Sequence, residues 1–209
     1  MSDVVKEMEK YRLVPVVVIE NAEDSEPLAK ALIDGGLPCA EVTFRTAAAE
    51  DAIRKLSSVG GLLLGAGTVL SVDQAKKAID AGAQFIVSPG FNPKVVSYCV
   101  ENSIPIVPGV CTPTEIEAAM EFGLKVLKFF PAETYGGVEA LKAISAPYSM
   151  IKFVPTGGIG PVNVMNYLRF SKVLACGGSW MVKKETISAK KFGEITRLTK
   201  EAVSLVKGG

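Results

Sequence analysis

Three groups of residues in this 209-residue chain have the type and spacing to do chemistry. The first is a lysine among apolar neighbours. In Val126-Leu127-Lys128-Phe129-Phe130, the alternation of a strand places Val126, Lys128 and Phe130 on one face. Burial disfavours an ammonium ion and favours the neutral amine, the form that attacks ketones. The plain alternative is a lysine whose stem packs and whose head reaches water. The apolar residues on both sides, continued by Pro131, argue against it.

The second group is Glu41-Val42-Thr43-Phe44-Arg45. Alternation puts Glu41, Thr43 and Arg45 on one face and the two apolar side chains on the other. A carboxylate and a guanidinium on an inward face are costly unless paired or employed. Glu41 is a candidate proton-transfer group and Arg45 a candidate clamp for a substrate carboxylate. A structural Glu41–Arg45 ion pair is the competing account.

Two glycine turns form the third group, Thr156-Gly157-Gly158-Ile159-Gly160 and Cys176-Gly177-Gly178-Ser179-Trp180. Glycine lets backbone N–H groups approach an anion closely, and a helix following each turn would add its dipole. Tight turns chosen only for backbone geometry explain one such loop easily and two less well. Thr68, in Gly65-Ala66-Gly67-Thr68, and Pro89, in Ser88-Pro89-Gly90, add weaker candidates at the ends of two further apolar runs.

These groups need a scaffold that brings distant strand ends together. Eight short apolar runs fit strands, at 13–20, 39–44, 62–67, 84–88, 104–108, 125–130, 151–156 and 172–178. Amphipathic stretches separate them, several opening on Ser, Thr or Asn beside a proline and closing on glycine. Such alternation forces parallel crossovers. Repeated eight times, it predicts an α/β fold of the (β/α)8 TIM-barrel type, with an extra N-terminal helix and a C-terminal helix from about Ser188 to Val206. In that fold the reacting groups sit where strands end, and the loops after strands 7 and 8 form the usual phosphate site. An open doubly wound sheet is the alternative, but no G-x-G-x-x-G opens the first helix. With no linker or low-complexity tract, residues 1–209 are expected to form a single domain.

Composition narrows the chemistry. The chain has no histidine, which removes Ser-His-Asp and Cys-His catalysis and imidazole zinc sites together. The four cysteines, Cys39, Cys99, Cys111 and Cys176, show no paired spacing and fit buried thiols. A net charge of +1 with basic and acidic residues interspersed gives no footprint for nucleic acid. No apolar run approaches the roughly 20 residues needed to span a bilayer. The N-terminus lacks a signal-peptide pattern, so a cytoplasmic location is expected.

In order along nearly the whole chain, the segments PVVVIE, EVTFRT, GAGTVL, VSPGFNP, PGVCTPTE, LKFFPAE, PTGGI and CGGSWMV resemble those of the 2-dehydro-3-deoxy-phosphogluconate aldolases. That family often also acts on 4-hydroxy-2-oxoglutarate and belongs to the class I, Schiff-base group. The resemblance implies that Lys128 forms the imine and that Glu41 is the general acid–base. It implies that Arg45, Thr68 and Pro89 bind the pyruvate end, with Phe130 beside them. Thr156, Gly157, Gly158 and Ser179 would hold the phosphate end. It further implies a homotrimer. Phe44 stands where many relatives have leucine, but on the face turned to the helices.

The expected substrate is a phosphorylated 2-keto acid. No cofactor or metal is required, because an iminium supplies the electron sink that zinc supplies in metal-dependent aldolases. Two other functions fit the barrel: a phosphosugar isomerase, epimerase or transferase without an imine, and a silent ligand-binding barrel. The choice between the gluconate substrate, its galactonate epimer and 4-hydroxy-2-oxoglutarate is left open by the residues.

Overall fold

The structure, a computed structural model, describes residues 3–208. Parallel strands alternate with helices in an α/β arrangement. Helix α1 (Asp3–Tyr11) precedes β1 (Leu13–Val17), and there follow α2 (Ser25–Asp34), β2 (Cys39–Thr43), α3 (Ala49–Val59), β3 (Leu63–Gly67), α4 (Val72–Asp80), β4 (Phe85–Val87) and α5 (Pro93–Glu101). The second half runs β5 (Ile106–Val107), β6 (Gly109–Val110), α6 (Pro113–Glu121), β7 (Val126–Phe129), α7 (Gly137–Ser145), β8 (Lys152–Pro155), α8 (Val164–Leu168), β9 (Cys176–Gly178), α9 (Lys184–Ser188) and α10 (Phe192–Lys207).

The strands form a six-stranded sheet ordered β5-β4-β3-β2-β1-β9 and a three-stranded sheet ordered β6-β7-β8. Isolated parallel bridges, Phe153↔Val173 and Thr156↔Gly177, tie the edge of the second sheet to the region of β9. At the other seam only Pro108 separates β5 from β6. The fifth apolar run was expected to stop at Pro108, since proline cannot donate to a ladder. Its carbonyl still accepts from Lys128 N at 2.8 Å, so the run extends to Val110.

Helix caps follow the expected chemistry. Asn92 and Thr112 cap α5 and α6, each with proline in the first turn, and Ser71 caps α4. At α6 the box is reciprocal: Thr112 Oγ1 accepts from Glu115 N, and the Glu115 carboxylate accepts from the Thr112 and Cys111 N–H groups. Thr112→Ala removes one arm and is expected to cost about 1 kcal/mol, lowering Tm by about 2–4 °C in a thermal melt.

The C-terminal helix expected from about Ser188 to Val206 is α10; it starts at Phe192, past Lys190, whose φ of +55° cannot continue a right-handed helix, and the short α9 precedes that turn. Inside the sheets, Met8 of α1, Val14, Phe85, Val87, Val107 and Val154 enclose a pocket of only about 10 Å³ with Glu41 and Lys128. Gly65 makes room for this layer, because a Cβ there would overlap the Phe85 ring. Val42, Leu127, Phe129 and Phe153 are fully buried in the surrounding core. Among the described residues no helix is long and apolar enough to cross a membrane.

Candidate active site

Glu41 and Lys128 meet in the interior. Lys128 Nζ donates to Glu41 Oε1 at 3.3 Å, with the residues 5% and 3% exposed. Strand pairing explains the placement: Glu41 is the middle residue of β2, beside Val16 and Gly65, and Lys128 lies between Gly109 and Val154. The pair is therefore built from β2 and β7, strands of different sheets. The Glu41–Arg45 ion pair weighed from sequence is absent among the described residues, since the carboxylate partners the lysine instead.

Above the pair lies a cavity of about 300 Å³ lined by Arg45, Phe130, Thr156, Gly157, Gly158 and Ser179, together with Val16, Val18, Ile159, Gly177 and Gly178. Six of the sequence-predicted residues thus share one opening. The Phe130 ring links the two spaces, lining the cavity while Lys128 Nζ lies 5.2 Å from its centroid. Arg45 is exposed, and its Nε donates to Thr68 Oγ1 at 3.3 Å. Thr68 has φ +57°, an unusual conformation for a β-branched residue. Strain of this kind costs on the order of 1–3 kcal/mol and concentrates at functional sites. Pro89 sits further round, where its carbonyl packs against β6, and a Cβ on Gly109 would overlap it. Thr43 has a structural task, donating to Val17 O at 3.1 Å.

The turn after β8 presents hydrogen-bond donors. Gly157 and Gly158 have φ of +105° and +77°. The N–H groups of Gly158 and Ser179 find no acceptor among the described residues, and the buried Thr156 Oγ1 has no partner. Free backbone N–H groups in such a turn form an anion-binding concavity. The helix dipoles expected behind these turns are weak, because α8 and α9 have only five residues each. An anion held here would rely on backbone N–H groups of the turns.

Elsewhere, grooves of about 390 and 340 Å³ flank α1. They open at the strands' N-terminal ends, beside Leu63, Ile106 and Val126, and none of the charged residues lining them is buried. The cysteines offer no better nucleophile. Burial pushes the thiols of Cys39 and Cys176 up, and that of Cys99 up to about 11, away from the reactive thiolate.

Comparison with known proteins places this arrangement. The model of the family described as KDPG and KHG aldolase matches residues 4–198. The chain belongs to this family. It is 50% identical over 207 residues to the 2-dehydro-3-deoxy-phosphogluconate aldolase of Treponema pallidum (strain Nichols), covering 99% of both chains. It is 45% identical over 196 residues to the KHG/KDPG aldolase of Escherichia coli (strain K12), covering 93% of this chain and 92% of the relative. Among solved structures it resembles a KDPG aldolase from Legionella pneumophila in which pyruvate was captured at low pH as a covalent carbinolamine intermediate. That match has a TM-score of 0.92 and 37% identity, and covers 96% of this chain and 98% of the other.

The geometry adds to the candidates of this KDPG and KHG aldolase family member one residue the sequence reading passed over. Gly67 ends β3, and a Cβ there would overlap Glu41 Oε1, the atom that accepts from Lys128. A GAG stretch at a strand end signals only a turn, so the requirement is invisible without coordinates. Gly67→Ala is expected to displace the carboxylate and lower kcat by about 10²-fold, measured by steady-state kinetics, with a loss of about 1–3 kcal/mol in stability from the overlap.

Proposed function

We propose that this chain is a class I aldolase that reversibly cleaves 2-dehydro-3-deoxy-6-phosphogluconate to pyruvate and glyceraldehyde 3-phosphate. Lys128 is the imine-forming amine and Glu41 the acid–base. The observation that carries the reading is the buried Lys128–Glu41 pair at 3.3 Å beneath a cavity with free turn N–H groups. The carbinolamine in the Legionella pneumophila relative supports it.

Lys128 Nζ adds to the C2 carbonyl to give a carbinolamine. Glu41, already hydrogen-bonded to the amine, carries the protons needed for loss of water, leaving an iminium. Glu41 then accepts the C4 hydroxyl proton through a water, and the C3–C4 electron pair moves into the iminium to give an enamine. Glyceraldehyde 3-phosphate departs as its aldehyde forms. Protonation at C3 and hydrolysis release pyruvate and restore the amine. A single carboxylate can serve all these transfers, since each regenerates its protonation state for the next.

Arg45 and Thr68 bind the substrate carboxylate, Arg45 through its two-pronged guanidinium, and Pro89 and Phe130 close the pyruvate end. Thr156, Gly157, Gly158 and Ser179 bind the phosphate. 4-Hydroxy-2-oxoglutarate shares the pyruvate end and is the second substrate. The scaffold is a single-domain (β/α)8 barrel with α1 as an extra N-terminal helix. The two bridges near β9, the one-residue gap at Pro108 and the meeting of β2 with β7 support closure. The family resemblance extends the reading to a homotrimer working in the cytoplasm.

The test is incubation with pyruvate and borohydride, followed by peptide mass analysis, alongside kinetics on both substrates. Reduced pyruvate on Lys128 and faster turnover of the phosphorylated substrate are expected. Turnover without any trapped lysine would instead support chemistry that does not pass through an imine.

A further inference from the structure

The FFPAE stretch ends in Glu133, a residue with no part in the chemistry above. The Tyr167 hydroxyl donates to Glu133 Oε1, and the tyrosine is 1% exposed on the short α8. Burial, then the bond to Glu133, pushes the phenol up, so Tyr167 stays protonated and remains a donor. Glu133 N donates to Gly157 O at 3.1 Å, and the neighbouring Ala132 N donates to Thr156 O at 2.9 Å. Glu133 Cβ and Cγ also lie against the turn, where a Cβ on Gly158 would come within 2.6 and 2.7 Å of them. On the far side, Asn163 Nδ2 donates to Gly158 O at 3.1 Å.

Peptide planarity makes these bonds directional. In a trans peptide the C=O and N–H point to opposite sides. The Thr156 carbonyl shares its peptide with Gly157 N–H, and the Gly157 carbonyl shares its peptide with Gly158 N–H. Glu133 therefore holds from behind the peptide whose Gly158 N–H has no acceptor among the described residues, and Ala132 holds the peptide before it.

We infer that Glu133 and Tyr167 are positioning residues for the phosphate end: the Tyr167–Glu133 bond fixes residue 133, which aims the Gly158 N–H group at the phosphate. The inference rests on the phosphate reading of this cavity. It makes discrimination for phosphorylated substrate depend on two side chains that need not touch the substrate. It also separates the two ends of the site, because nothing in this clamp reaches Lys128 or Arg45.

The experiment compares Tyr167→Phe, Glu133→Ala and Glu133→Gln with wild type. It measures kcat and KM on 2-dehydro-3-deoxy-6-phosphogluconate and the rate of borohydride trapping with pyruvate, which carries no phosphate. Tyr167→Phe and Glu133→Ala are expected to raise KM about tenfold, the effect of one ordinary hydrogen bond, with kcat changed less than about twofold. Glu133→Gln, whose amide oxygen still accepts from Tyr167, is expected to restore wild-type KM. Pyruvate trapping is expected to be unchanged in all three. Tyr167→Phe keeps the buried ring, so its fold is secure even if Glu133→Ala is unstable. An unchanged KM, or parallel losses in KM and pyruvate trapping, overturns the inference while wild-type turnover keeps the aldolase reading intact. Failure of wild type to use the phosphorylated substrate removes both.

Discussion

Replacing Lys128 with arginine is expected to leave a folded protein with kcat lowered on the order of 10⁴-fold or more, the scale seen when a covalent nucleophile is removed. Arginine keeps a positive charge against Glu41 but stays protonated at working pH and forms no imine. The added bulk enters a pocket of about 10 Å³, so a destabilisation of about 1–3 kcal/mol should accompany it. Lys128→Ala makes the contrast. It also ends catalysis, but it strips the partner from a carboxylate that is 3% exposed. Breaking a buried pair in this way typically costs about 3–5 kcal/mol. Thermal melts and trapping with pyruvate and borohydride read the two effects separately. Both variants should lose the trapped adduct, and alanine should lose more stability. A Lys128 variant that still turns over substrate at near wild-type rate would exclude the imine.

Glu41→Gln is expected to lower kcat by about 10²–10⁴-fold, the usual contribution of a positioned proton-transfer group. The amide has nearly the same shape and its oxygen still accepts from Lys128 Nζ, so the 3.3 Å contact can persist. The substitution therefore asks whether Glu41 acts by moving protons or only by neutralising the ammonium. A purely structural ion pair predicts a lower Tm and an almost unchanged kcat. The catalytic role predicts a large fall in kcat with KM little altered, and slower formation of the trapped adduct. Rescue by small carboxylic acids is not expected, because the glutamine side chain fills the space of the carboxylate and leaves no vacancy beside Lys128.

Much of the site was legible from strand alternation. Glu41 and Arg45 were assigned to one face of the second strand, and Lys128 and Phe130 to one face of the strand near 128. The structure brings Arg45 and Phe130 to the cavity and Glu41 and Lys128 to the space beneath it. Alternation is a local property of two successive residues, so it can be read without knowing the neighbours. The glycine turn after β8 was legible for a similar reason, since Gly157 and Gly158 take positive φ that other residues rarely adopt, whereas Gly177 and Gly178 lie in β9 and leave room for Thr156 and Trp180.

Local rules also failed in identifiable places. The apolar run ends at Pro108 in the sequence, yet the Pro108 carbonyl continues the ladder to Lys128. The C-terminal helix is there as expected but starts at Phe192 and not near Ser188, because nothing in Ser188 to Lys191 announces the turn at Lys190. The dipole expected behind the glycine turns is carried by helices of five residues, too short to supply much of it.

By itself the sequence determined which residue types were available, which faces they occupied, and that a chain without histidine leaves proton transfer to Glu, Asp, Lys, Tyr or water. Only the tertiary structure decided that Glu41 pairs with Lys128, 87 positions away, and not with Arg45, four positions on in the turn after the same strand. It alone showed that Gly67 must lack a side chain and that Glu133 stands behind the turn at Gly157 and Gly158. The reason is physical. A strand face is set by neighbouring bonds, whereas the meeting of two faces depends on how the sheets curve and on which backbone carbonyls the loops can reach. Both are properties of the whole assembly of strands and are written in no single segment.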